Sequence, residues 1–183
     1  VDAMIEAVPE ALREHPGLAY ERFRWRSEKR RLDDAIALLL ERSTSADALG
    51  EPWAWARARR ELARDRIRDG AVTQAYRIAS GHYLVEGSDF ADLEWLSGYL
   101  ALRFLGRPDL AVQHFTAFRE AVWTPISVGR AGYWLGRAHE ALDQQEQAAE
   151  AYALGARYQT SFYGLLAAER GGIAPDPGLA GTE

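Results

Sequence analysis

The residues that could do chemistry in this chain are few. Its histidines are His15, His82, His114 and His139, and they form no His-x-x-x-His pair. His139-Glu140 looks like the start of a zinc-protease helix, but the position four beyond His139 is Asp143 and no third ligand follows. With no cysteine there is no disulfide, no thiol nucleophile and no thiolate zinc site. Ser127 lies in Pro125-Ile-Ser-Val-Gly129, where an esterase elbow requires glycine in place of Pro125. It reads as a helix-start serine. None of the glycines is followed by the Lys or Ser/Thr pattern of a phosphate-binding loop. These residues identify no catalytic, cofactor-binding or metal-binding set.

Charge offers one more candidate chemistry. Of the 22 basic residues only Lys29 is a lysine, and such arginine richness suits carboxylate or phosphate recognition, or reflects codon bias. The run Arg57 to Asp69 is the densest. Its acids are interleaved at helical spacing, as in Arg57/Glu61 and Asp65/Arg68, which reads as a salt-bridged, solvated helix face. With a net charge of −5, a nucleic-acid partner is not expected. The charge is uneven: residues 13–77 carry +4 and residues 78–183 carry −6.

The elements that position these residues are helices. Thirty-two alanines favour helix. Apolar residues recur at 3.6-residue spacing between prolines and glycines, with no strand-like alternation. The pattern predicts helices over 17–29, 32–42, 52–69, 71–83, 88–105, 108–122, 125–142, 144–158 and 161–170. Ser43 to Glu51 reads as a loop. Ser88 or Asp89 could cap its helix, and Thr124-Pro125 is a cap with a first-turn proline. Residues 171–183 read as a disordered tail or a severed linker. The longest purely apolar run is six residues, Ala35 to Leu40, far short of the roughly twenty that a membrane span needs.

These helices form a repeat. Ala35, Ala75, Ala111 and Ala148 stand near the start of every second helix, at intervals of 40, 36 and 37 residues. That spacing is close to the period of the tetratricopeptide repeat, in which a small residue permits close helix approach. Phe115 and Tyr152 follow their alanines by four, and Leu135-Gly136 precedes Ala148 where that repeat places Leu-Gly. The expectation is an all-α, right-handed superhelix of antiparallel helix pairs over 1–170, a tetratricopeptide-like solenoid.

The block Trp123-Thr-Pro-Ile-Ser-Val-Gly-Arg130-Ala-Gly-Tyr133-Trp134-Leu-Gly136-Arg137-Ala138 is distinctive. With Ala75-Tyr-Arg-Ile-Ala79, Phe90 to Gly98, Ala111 to Phe115 and Phe162-Tyr-Gly-Leu-Leu-Ala-Ala168, it closely resembles the helical region of bacterial soluble lytic transglycosylases. The resemblance spans about residues 17–170. It departs from the family at Leu165, where glutamine is usual after Tyr-Gly, so docking of the catalytic module would differ in detail.

The resemblance implies a parent enzyme that cleaves MurNAc–GlcNAc bonds in peptidoglycan to 1,6-anhydro products. In the family a lysozyme-like domain follows the helices and carries a catalytic glutamate in a Glu-Ser motif. No Glu-Ser occurs here, so this stretch is expected to be inactive alone. Helices 125–170 would then be linker-like towards that domain, the chain's expected partner. A signal peptide would lie upstream of Val1 and the protein would be periplasmic. An inner face could offer Arg130, Tyr133, Arg137 and Tyr163 to peptidoglycan, arginines to peptide carboxylates and tyrosines to sugar faces. The same residues could instead pair with acids on neighbouring helices or lie in the core. The repeat alone also fits a stand-alone adaptor that binds a peptide or protein in its groove.

Overall fold

The structure is a computed structural model that describes residues 7–179. Those residues form eleven α-helices, one short 3-10 turn and no strand. Residues 1–6 of the expected helical domain and 180–183 of the expected tail lie outside the described residues. The helices are α1 (Glu10–Arg13), α2 (Pro16–Glu28), α3 (Leu32–Arg42), α4 (Ala46–Leu49), α5 (Pro52–Arg68) and α6 (Val72–Ser80). They continue as α7 (Gly87–Arg103), α8 (Pro108–Glu120), α9 (Pro125–Glu140), α10 (Gln145–Ala156) and α11 (Phe162–Arg170). Every helix expected from the sequence is present. The loop read over 43–51 contains α4, one turn capped by the Ser45 hydroxyl, which accepts from Ala48 N–H at 3.0 Å. Neither Ser88 nor Asp89 caps α7. It starts earlier, at Gly87, with no side-chain cap.

The repeat has a backbone cause. Five residues before each repeat alanine stands a residue in the left-handed region: Arg30 (φ 56°), Gly70 (76°), Gly106 (62°) and Asp143 (58°). The next residue serves both helices. Its N–H closes the first helix, as in Arg31 to Arg26 C=O (2.9 Å), Ala71 to Arg66 C=O (2.8 Å), Arg107 to Ala101 C=O (2.9 Å) and Gln144 to His139 C=O (3.0 Å). Its C=O opens the second helix by accepting from the alanine N–H at 3.0, 3.0, 3.1 and 3.0 Å. Each alanine is thus the fourth residue of α3, α6, α8 or α10, and each is at most 2% exposed. A larger side chain at that corner would hold the two helices apart.

The chain groups into two compact units, one up to Val85 and the other from Glu86. In the first, α2 packs on α3 and α4, α5 on α6, and α3 on α6. Its centre holds Phe23 against Trp55 (ring centroids 4.8 Å apart), with Tyr20 at the edge of Trp55 (5.1 Å). Beside them Arg59 is fully buried. Among the described residues no carboxylate pairs with it. It donates to Ile78 C=O (2.8 Å) and to the Ser43 hydroxyl (2.6 Å), which donates onward to Leu39 C=O (2.6 Å). These acceptors belong to the C-terminal turns of α6 and α3, where helix dipoles favour a cation. Burial pushes the guanidinium down to about 10, opposed by nearby Tyr83, so it stays charged at neutral pH.

In the second unit α7 packs on α8, α8 on α9, α9 on α10, and α11 on both α9 and α10. Glycine permits the tightest contacts. A Cβ at Gly98 would lie 2.6 Å from the Phe115 ring, and one at Gly136 would strike the Tyr152 ring. The same ring-on-glycine contact therefore recurs one repeat apart. Where α9 meets α10 the backbones themselves touch: a Cβ at Gly132 would lie 2.5 Å from the Gly155 nitrogen. Past α11, Gln159 grips residues 174–176, donating to Ala174 C=O (3.0 Å) and accepting from Asp176 N–H (2.9 Å).

Two stability outcomes follow from these contacts. Gly98→Ala should cost about 1–3 kcal/mol, since the rigid Phe115 ring must move. Arg59→Ala should cost about 2–4 kcal/mol, through the cavity and the two acceptors it abandons. Urea unfolding by circular dichroism measures both; a wild-type midpoint for either variant would contradict this account.

Candidate functional site

The distinctive block of the sequence is α9. Its start is set by Thr124, whose hydroxyl accepts from Ser127 N–H (3.4 Å), and by Pro125 in the first turn. Ser127 is thereby a helix-start residue. From there Arg130, Tyr133, Trp134 and Arg137 follow at i, i+3, i+4 and i+7, on one face of the helix.

That face carries an aromatic cluster with Trp134 at its centre. Tyr99 and Tyr133 meet Trp134 edge-on, each at 5.3 Å between centroids, Trp95 meets it at 6.3 Å, and Phe115 packs at 5.9 Å. Helix α11 adds Tyr163, 5.6 Å from Tyr133 and 6.3 Å from Trp134, with Phe162 beyond it at 5.2 Å. Tyr163 is placed by Ser161, whose hydroxyl accepts from Gly164 N–H (3.1 Å) to start α11.

The four candidate residues separate into two environments. Tyr133, Arg137 and Tyr163 stand together. Arg137 donates to the Tyr133 hydroxyl (2.9 Å), and its Nε lies 3.4 Å from Glu140 on the same helix. Arg130 instead lies over the rings of Trp95 (4.9 Å) and Phe118 (5.6 Å). Its Nε is buried without a hydrogen-bond partner, and among the described residues no carboxylate pairs with it. Trp95 and Phe118 were not candidates from sequence; the signal available was Phe118 seven residues after Ala111, which puts it on the buried face of α8.

Glu140 ties the ends of α9 and α11 together. Arg170 reaches it with Nε at 3.0 Å from both carboxylate oxygens and with Nη2 at 2.9 Å from Oε2. Burial opposes ionisation of Glu140. The Arg170 guanidinium, the nearby Tyr152 phenol and the charge of Arg137 outweigh that, so its pKa is lowered. Tyr152 responds in the opposite sense: burial first, then the Glu140 charge, pushes its phenol up.

A second polar pair in this unit was not foreseen. Glu94 and His114 meet across α7 and α8 at 2.6 Å and are both largely buried. His139 bonds the Gln144 side chain at 2.7 Å. Among the described residues no three His, Cys, Asp or Glu side chains gather as a metal site, and no helix is long and apolar enough to cross a membrane. In the arginine-rich run of α5, Arg57 pairs with Glu61 (2.9 Å), Arg68 with Asp65, and Arg66 with Asp69 (2.7 Å).

No family model, no curated protein and no solved structure matches the chain.

The lowered pKa of Glu140 sets a pH dependence. Its ion pairs stabilise the second unit fully above the unperturbed value of 4.5 and are lost as pH falls through the lowered folded value. Stability should therefore decline with acid below about that pH, and Glu140→Gln should flatten the decline. Thermal melts between pH 3 and 7 on both proteins read this, and identical slopes would refute it.

Proposed function

We propose that this chain is the non-catalytic helical scaffold of a peptidoglycan lytic transglycosylase. Its helix pairs stack as a right-handed, tetratricopeptide-like superhelix, it works in the periplasm, and it positions a lysozyme-like catalytic domain of the same parent chain. Peptidoglycan strands pass along the face of α9. The parent cleaves MurNAc–GlcNAc bonds to 1,6-anhydro products, and the scaffold does no chemistry itself.

One observation carries most of the support. The block that resembles the family, Trp123 to Ala138, is the helix that gathers arginines and aromatic rings from α7, α8 and α11 into one cluster. Stacked rings suit the apolar faces of sugars, and guanidinium groups suit the carboxylates of stem peptides. A site built for covalent chemistry would instead need a nucleophile or general acid in a cleft, with its base in hydrogen-bond reach.

The reading is tested by sedimentation with insoluble peptidoglycan. The chain should co-sediment, and Arg130→Ala combined with Arg137→Ala should reduce the bound fraction about tenfold, the scale of ~1.4 kcal/mol. Absence of co-sedimentation would remove the glycan role and leave the peptide-binding adaptor. Incubation with purified peptidoglycan should release no anhydro-muropeptides. Their appearance would overturn the non-catalytic assignment.

A further inference from the structure

The four residues expected to meet peptidoglycan differ in what their polar atoms already do. Arg137 donates to the Tyr133 hydroxyl at 2.9 Å and forms an ion pair with Glu140 at 3.4 Å, although its Nε, like that of Arg130, makes no hydrogen bond. Tyr133 uses its hydroxyl on Arg137 and its ring against Trp134, Tyr152 and Tyr163. Tyr163 spends its ring on Tyr133, Trp134 and Phe162. Among the described residues Arg130 lies over two rings and makes no hydrogen bond or ion pair.

We propose that Arg130, lying over the rings of Trp95 and Phe118, is a receptor for the carboxylate of a peptide, and that Tyr133 and Arg137 serve to hold α9 in place beside it. The proposal rests on the peptidoglycan reading above for the identity of the peptide, but the site's chemistry stands without it.

The geometry argues for this ligand. A guanidinium stacked against an aromatic face has its plane occupied, so new hydrogen bonds form at its edge. Its Nε is buried, so that edge is the pair of Nη groups. Two parallel N–H donors match the two oxygens of a carboxylate. The rings also restrain a side chain that would otherwise lose much rotamer freedom on binding. Charge favours a monoanion over phosphate: residues 78–183 carry a net −6, and Arg130 is a single cation within that field. The other arginines of α9 to α11 that pair with an acid share one, Glu140. Arg130 is left over as the arginine of α9 that pairs with no acid among the described residues.

The test uses the whole chain and two probes, N-acetyl-Ala-Ala as the free acid and as its C-terminal amide. The acid should shift the Arg130 Nε–Hε resonance, assigned by its loss in Arg130→Lys, and should perturb the indole resonance of Trp95. The amide should do neither at equal concentration. Arg130→Lys keeps the charge but loses the planar fork, and it should weaken the acid at least fivefold with an unchanged melting temperature. Arg130→Ala should abolish the response; should that variant not fold, the lysine variant decides. Inorganic phosphate should compete poorly.

Equal responses to acid and amide, or undiminished binding by Arg130→Lys, would overturn the proposal. Phosphate binding tighter than the acid would replace the carboxylate with a phosphate ligand and also overturn it. The two readings fail separately. Co-sedimentation with peptidoglycan without acid selectivity sinks the carboxylate receptor alone. Acid selectivity without co-sedimentation sinks the peptidoglycan reading and leaves the receptor in place.

Discussion

Each of the four repeat corners in this protein hangs on one residue. The residue after each left-handed cap gives its N–H to the helix that ends and its C=O to the helix that begins. Two hydrogen bonds from adjacent groups of one residue leave the following helix little freedom in direction. The corner then forces the fourth residue of that helix against its predecessor, and only a small side chain fits. Alanine at 35, 75, 111 and 148 is the result, fully or almost fully buried each time. The left-handed residue is glycine at two corners and Arg30 or Asp143 at the others. A non-glycine residue pays a conformational penalty there, of about 1 kcal/mol, that the two hydrogen bonds must offset.

What the corner fixes, the rest of the second unit exploits. Once α10 must return along α9, the contact distance is set by what stands opposite. Gly136 admits the Tyr152 ring, and Gly132 lets the two backbones touch at Gly155. Gly98 admits Phe115 in the same way one repeat earlier. The aromatic cluster around Trp134 depends on that closeness, because rings from four helices can share one neighbour only where the backbones approach. The first unit solves the same problem with a charge. Arg59 sits where α3 and α6 end, and helix dipoles and carbonyls take the place of a carboxylate.

Most of this was legible from local pattern. Nine of the eleven helices, their boundaries to within a few residues and the repeat alanines depend on 3.6-residue periodicity and on Pro and Gly stops, which are properties of short windows. The ion pairs of α5 were legible for the same reason, since Arg57/Glu61 and Asp65/Arg68 are one turn apart. What local pattern cannot supply is contact between distant segments. The cradle of Arg130 joins residues 95, 118 and 130, and the pair Glu94–His114 joins two helices. Arg59 was hidden because it lies in a run in which Arg57, Arg64 and Arg68 are exposed. The four candidates lie on α9 and α11, and only the structure separates Arg130 from the other three.

The same register accounts for an exposed feature at the end of the described chain. Helix α11 closes as the others do: Gly172 is left-handed (φ 63°) and Ile173 N–H bonds Ala168 C=O at 2.8 Å. Five residues after that cap, where the repeat places alanine, stands Pro177, which has no N–H to give to the Ile173 carbonyl. A second helix cannot start there in the usual way, and the chain instead runs under the grip of Gln159. Seven residues before three of the four caps stand Phe23, Ala63 and Gly136, all buried, and before the fourth stands the half-buried Tyr99; the corresponding residue of α11 is Leu165, 53% exposed. Among the described residues no further helix packs at that place, so Leu165 is exposed where Gly136 is covered by the Tyr152 ring of the helix that follows.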